Sequence, residues 1–335
     1  LGTLSYDYPA DLRQRLQAAV GTPLDRDIED LDELDRETGN CFRDAAVALL
    51  AQCDLDPSAV TVVGSHGQTL RHEPGIDQAY SLQIGNPDVI ASGTNIRTVG
   101  DFRSADISAG GQGAPLVPPF HQWLFADPYA TRVVLNVGGI ANITVLPADG
   151  EVTGFDTGPG NTLMDAWLRQ HDDAAYDADG EFAASGTVNR ALLERLLDDP
   201  YFAASPPKST GLEYFNLAWV ERAGIDGLEP QDIQATLSEL TASSVAQAIG
   251  LHAPDADSLF VCGGGAHNAE LMRRLNARLP GIDVLTTAAA GLDPDWVEAA
   301  AFAWLALRTI NGLPGNLPSV TGASRPVVLG TIHDP

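Results

Sequence analysis

Residues Val133 to Asn161 read VVLNVGGIANITVLPADGEVTGFDTGPGN. The apolar, β-branched run Val133 to Val137 predicts a buried strand, and Gly138-Gly139 a tight turn. A second strand follows over Ile140 to Leu146, then a turn at Ala148-Asp149-Gly150 and a third strand over Val152 to Phe155. That strand ends in Asp156, a Thr-Gly-Pro-Gly loop and a helix beginning near Asn161. Glycines at 138 and 139 leave no Cβ between the backbone N–H groups and an approaching anion. A carboxylate where a strand gives way to a glycine loop is rigidly held at the edge of a cleft. Alone, the Gly-Gly pair is an ordinary hairpin turn; joined to Asp156 and its glycine loop, it points to function.

The rest of the second half extends this unit. A long helix is predicted over Gln231 to Leu251, and a strand over Leu259 to Cys262 that runs into Gly263-Gly264-Gly265. A helix over Ala269 to Leu279, a strand at Val284-Leu285 and an apolar helix over Asp295 to Ile310 complete a βββ-α-β-α-β-α order. The tail from Asn311 is rich in Pro and Gly and reads as irregular. In the first half, helical patterns run over Pro9 to Val20 and from Asp25 to Ala51. The strand Val60 to Val63 leads into Gly64-Ser65-His66-Gly67-Gln68-Thr69. Ser81 to Ile84 and Ile96 to Val99 are further strands, the latter followed by Asp101-Phe102-Arg103 and a glycine-rich loop over Ala109 to Pro119. Polar side chains directly after buried strands are where α/β sheets build sites. If the halves are duplicates, the first lacks an opening hairpin, and symmetry puts two strands and their turn before Leu1.

With 335 residues the chain is too long for one ordinary core, and two domains are expected. We place an N-terminal domain at 1–127 and a C-terminal one at 128–335, with the helix 295–310 near their junction. Forty-five acidic residues against 19 basic give a net charge of −26, which argues against nucleic acid and anionic membranes as partners. Any phosphate site must then be built locally from backbone N–H groups and a few arginines. Lys208 is the single lysine, so a lysine-based phosphate loop is excluded. Cys41, Cys53 and Cys262 show no metal or disulfide spacing, and no apolar run is long enough to span a membrane. A cytoplasmic protein with no protein-built metal cage is the expectation.

Three glycines between a strand and a helix suit close contact with a nucleotide, helped by the helix N-terminus. His66 is open to three readings: general base, ligand contact or structural hydrogen bonding. Ser65 and Gln68 beside it suit a hydroxyl-rich ligand. Asp101, Arg103 and Asp106 set two carboxylates around one guanidinium, either as a local ion pair or with Arg103 holding a ligand anion. Asp165, on the helix after Asn161, reads as a solvated position.

Seven segments together resemble the anhydro-N-acetylmuramic acid kinase family: GSHGQT (64–69), QIGNPDVIA (83–91), TVGDFRSADISAGGQGAPLVP (98–118), LNVGGIANIT (135–144), FDTGPGN (155–161), PPKSTGLEYFN (206–216) and CGGGAHN (262–268). The resemblance implies the fold of sugar kinases, Hsp70 and actin: two RNase H-like domains with the site in the cleft between them. It implies an enzyme that opens the 1,6-anhydro ring of a cell-wall sugar and phosphorylates its O6, using ATP with Mg2+, and that works as a homodimer. By the same resemblance Asp156 is the catalytic base. Gly138 and Gly139 contact phosphates, and Gly263, Gly264, Gly265 and Asn268 lie on the adenosine side. His66, Gln68, Asp101 and Arg103 lie on the sugar side. The family's opening strand-turn-strand, carrying a Gly-Thr-Ser-x-Asp-Gly-x-Asp phosphate motif, has no counterpart in these residues. Either these residues are a fragment of a longer protein that carries it, or the motif is lost, in which case an impaired kinase or a nucleotide- or sugar-binding protein is expected, because phosphoryl transfer rests on positioning and charge neutralisation. A hydrolase of the same fold group is disfavoured by Ser65 to Thr69 and Lys208 to Gly211.

Overall fold

Val133, Val134, Leu135 and Val137 are all fully buried in a computed structural model of the protein, as a strand covered on both faces requires. The structure describes residues 2–20, 22, 26–73, 75, 79–172 and 174–335; the expected helix start at Asp25 lies outside them. Among the described residues the strands are β1 (Val63–Gly64), β2 (Gln68–Glu73), β3 (Tyr80–Ile84), β4 (Thr98–Gly100), β5 (Thr131–Val137), β6 (Ile140–Leu146), β7 (Thr153–Pro159), β8 (Ala256–Cys262), β9 (Asp283–Thr286) and β10 (Thr331–His333). The chain divides into two compact units, Leu1–Phe120 with Glu298–Pro335, and His121–Val297.

The unit His121–Val297 carries a sheet in the order β7-β6-β5-β8-β9. β5, β6 and β7 are antiparallel neighbours, while β8 and β9 run parallel to β5. This is the RNase H-like order, and the three-strand opening and two later parallel strands match the expected pattern. Its long helix, Pro230–His252, buries residues all round rather than on one stripe, small polar ones included. Two of these hydroxyls bond main chain, Thr241 Oγ1 donating to Pro159 O at 2.9 Å and Ser244 Oγ to Thr241 O at 3.0 Å, while Ser238 Oγ and Ser243 Oγ are buried without a partner among the described residues. A nearly buried ion-pair cluster clamps this helix to the next. Arg274 meets Glu239 and Glu270 at 2.7 Å each, and Arg278 meets Glu239 at 2.6 Å.

The other unit holds a three-stranded sheet, β1-β4-β10, and the hairpin β2-β3. Two elements went unseen in the sequence. The segment over Gln68–Glu73 is a strand paired with Tyr80–Ile84, and the tail from Asn311, expected to be irregular, supplies β10, which pairs antiparallel with β4 through Ile332 and Val99. The helix Val297–Ile310 also packs differently from its expected place in a 128–335 domain. Phe302, Leu305 and Ala306 are buried with Val99, Phe102, Leu116 and Leu329, so from Glu298 onward the chain belongs with the first 120 residues. The tail is tied down by Asp106, which is fully buried. Its Oδ1 accepts from Asn316 Nδ2 at 2.6 Å and Thr321 Oγ1 at 2.8 Å, and its Oδ2 from Gly113 N at 2.8 Å.

Leu305 is 0% exposed. Leu305→Ala is therefore expected to lower the unfolding free energy by about 2–5 kcal/mol, read from urea melts. A loss below about 1 kcal/mol would detach this helix from the core we assign to it.

Candidate active site

Parallel pairing of β5 with β8 puts Asn136 opposite Cys262, so both strands end at the same level. Gly138-Gly139 follows one end and Gly263 to Gly265 the other, and the two glycine segments, far apart in sequence, come together. The packing leaves no room for side chains. A Cβ on Gly263 would lie 2.5 Å from Asn136 Oδ1 and 2.9 Å from Val137 O, and one on Gly265 would collide with Val137. Gly263 has φ 77° and ψ 177°, a region that glycine alone occupies comfortably. The loop after β7 joins from the third side: Gly160 N donates to Gly139 O at 2.9 Å and Asn161 N to Gly138 O at 2.8 Å. The Asn161 side chain donates to Val137 O at 3.1 Å. This asparagine therefore stitches the turn to the glycine loop, a role its sequence position did not reveal. Asn268 is placed otherwise. It is buried, and its Oδ1 caps the helix Ala269–Arg278 by accepting from Leu271 N at 2.9 Å.

Asp156 lies within β7 rather than beyond its end, because pairing with β6 continues past a register shift to Pro159. On its outer side runs the segment Lys208 to Thr210. Asp156 N donates to Lys208 O at 3.2 Å, and Thr210 N donates to Asp156 Oδ2 at 3.0 Å. Tyr201 Oη donates to Asp156 O at 2.8 Å. Burial lifts the Asp156 carboxyl to about 6, and the Thr210 N–H offsets only part of that. A carboxylate so held, with its pKa near neutrality, is suited to taking a proton. Asp165 is half-buried rather than solvated, and burial raises its pKa too.

In the other unit, His66 and Asp101 share the lining of a cavity of about 380 Å³ with Ser65, Asp35, Gln83 and His333. Arg103 Nη2 contacts His66 Nε2 at 2.8 Å, and Nη1 donates to Gly113 O at 2.8 Å. Arginine only donates, so His66 Nε2 accepts and the ring proton sits on Nδ1. Burial first, then the guanidinium, pushes His66 down to about 4, so the ring is neutral near pH 7. It also packs on Phe302, ring centroids 4.5 Å apart. The expected pair of carboxylates around Arg103 does not form. Asp101 turns to Ser104, whose hydroxyl donates to it at 2.6 Å, and Asp106 is the buried tail anchor. The acidic charge that bears on Arg103 is Glu298, in the first turn of the helix Val297–Ile310. Nothing local marks Glu298 in the sequence, where it is one carboxylate at the head of an apolar helix. Gln68 accepts from Tyr8 Oη at 3.3 Å.

An RNase H-like sheet whose strand ends gather glycine loops, beside a carboxylate of raised pKa, defines a phosphoryl-transfer class of enzyme. The family model for anhydro-N-acetylmuramic acid kinase matches residues 1–335, and the chain belongs to that family and is a kinase. An anhydro-N-acetylmuramic acid kinase of Shewanella halifaxensis is 52% identical over 314 residues, covering 93% of this chain and 85% of that protein. One from Photobacterium profundum is 48% identical, covering 99% and 91%, and one from Xanthomonas campestris pv. campestris is 50% identical, covering 98% and 88%. Among solved structures, an activator of 2-hydroxyisocaproyl-CoA dehydratase from Clostridium difficile aligns with a TM-score of 0.41 at 14% identity, over 78% of this chain and 79% of that one. A ROK family glucokinase from Streptomyces griseus aligns with a TM-score of 0.35 at 14% identity, over 80% and 88%. Likenesses this slight assign no residue a role. Among the described residues, no helix is long and apolar enough to cross a membrane.

Proposed function

We propose that this enzyme uses ATP to convert anhydro-N-acetylmuramic acid, with water, into N-acetylmuramic acid 6-phosphate and ADP, in the cytoplasm and as a homodimer. Asp156 takes a proton from water as that water attacks the anomeric carbon. The bond from that carbon to O6 breaks, and O6 receives the γ-phosphoryl group. Gly138 and Gly139 offer backbone N–H groups to the phosphates, and Gly263 to Gly265 give the nucleoside a flat surface. His66, its Nε2 accepting from Arg103, lies on the sugar side, and Gln68 and Asp101 contribute further polar groups to the sugar. Among the described residues no three His, Cys, Asp or Glu side chains are gathered as a metal cage. Magnesium would accordingly arrive with ATP, held by phosphate oxygens and water, and neutralise phosphate charge. The observation that carries this reading is the Asp156 carboxyl, held by Thr210 N–H and lifted towards neutrality beside the glycine loops.

A coupled ADP-release assay tests it. ADP should appear only when both the anhydro sugar and ATP are present; release without the sugar, or none with it, would refute the proposal. The base role also sets a pH dependence. Asp156 works ionised, so kcat should fall about tenfold per pH unit below about 6 and level off above it. A rate independent of pH between about 5 and 7 would remove Asp156 from the base role.

A further inference from the structure

A second cavity, of about 310 Å³, lies in the unit His121–Val297. Phe155 and Thr157, the neighbours of Asp156 on β7, form part of its wall, while Asp156 itself does not. Two basic groups flank Phe155. Lys208 Nζ sits 5.9 Å from the ring centroid, and the His252 ring lies edge-on at 4.8 Å. Burial first, then the nearby ammonium, lowers the pKa of the imidazole.

Lys208 is the only lysine of a chain carrying −26 net charge, yet it is half-buried and, among the described residues, no carboxylate pairs with it. An ammonium has three N–H groups. Two are used, on Tyr201 O at 3.0 Å and Phe202 O at 3.4 Å, and it lies 4.7 Å from the Tyr201 ring centroid. Among the described residues the third has no protein acceptor. Ser205, Ser244 and Gln247 add neutral hydrogen-bonding groups to the lining, and Phe202, Ala248 and Leu251 make the remainder apolar. A half-buried ammonium with an unused N–H can give a charge-assisted hydrogen bond to an anion. A volume at the low end of small-molecule sites, with apolar and neutral polar walls and one cationic corner, fits an anion carrying a short apolar body.

We propose that this cavity is a binding site for a small organic carboxylate. The carboxylate group is bound by Lys208 Nζ and His252, and its apolar body lies against Phe155 and Leu251. The site is separate from the proposed catalytic chemistry and does not depend on it.

Calorimetric titration of the full chain with butyrate tests the proposal, with butyramide as the uncharged match and inorganic phosphate as the competing anion. Butyrate should saturate one site per chain, and butyramide should bind about tenfold or more weakly. Lys208→Gln should weaken butyrate by a similar factor. Because Lys208 also ties down two carbonyls, its variant can lose structure. Ala204→Phe, at the exposed rim, blocks the cavity while keeping the charge, and should abolish binding with an unchanged circular dichroism spectrum. Absence of saturation, equal binding of butyramide, or butyrate affinity unchanged in Ala204→Phe overturns the site. Phosphate binding as tightly as butyrate overturns the carboxylate assignment.

Discussion

Asp156→Asn is expected to retain near-normal ATP affinity while its kcat with the anhydro sugar falls by about 10²–10⁴-fold, the usual contribution of a positioned general base. Asparagine keeps the shape, and its Oδ1 can still accept from Thr210 N, so the fold around β7 should survive. What it lacks is a basic oxygen. A stability measurement separates loss of the base from loss of structure. The Asp156 carboxyl is raised in the folded protein to about 6 from 3.8, so its protonated form suits the fold better. A group raised in this way supports the fold fully below its unfolded pKa and loses that support as pH rises through about 6. Asparagine mimics the protonated form, so the variant should melt higher than the native chain at pH 8, with the gap closing as pH falls towards 4. A variant that melts lower at pH 8, or one with full turnover, would contradict the assigned role.

Gly263→Ala is expected to raise the KM for ATP about tenfold or more and to destabilise the protein by about 1–3 kcal/mol, the cost of holding a side chain in a glycine-only backbone region. The new methyl would meet Asn136 Oδ1 and Val137 O, and one of these belongs to main chain that cannot swing away. Relief must come from moving the end of β5, which carries Gly138-Gly139. The defect should therefore appear in both nucleotide binding and rate, as measured by initial velocities against ATP. Gly264→Ala is the control. Its Cβ would meet only Asn161 Nδ2, at 3.6 Å, so it should change stability little. Equal effects from the two substitutions would show that crowding against β5 is not the cause.

The strands flanking Gly138-Gly139, the long helix from Pro230 and the strand running into Gly263 were legible because each is written in local terms: apolar and β-branched runs, turn glycines, helical spacing. The family was legible from segments whose residue order survives without any knowledge of contacts. Other features were not. Asp156 reads as a strand terminus because Thr-Gly-Pro-Gly has poor strand propensity, but pairing with β6 carries the strand through to Pro159. The carboxylates at Asp101 and Asp106 read as partners of Arg103 on spacing alone. The backbone instead gives Asp101 to Ser104, and burial gives Asp106 to Asn316 and Thr321. Glu298 and the strand Thr331–His333 had no local signal, since what matters is where the chain returns.

By itself, the sequence determined the element types of the second half up to Ile310, the glycine turns, the single lysine in an acidic chain and the family. Those follow from side-chain volume, backbone freedom and charge, which act over a few residues or by sum. Only the tertiary structure decided that Gly263 meets Val137, that Lys208 and Thr210 line Asp156, and that the helix after Val297 belongs with the first 120 residues. The physical reason is that strand register and burial are settled between segments far apart in the chain, from 54 residues for Thr210 and Asp156 to 210 for Asn316 and Asp106, where many pairings satisfy the same local pattern and only one fills the core.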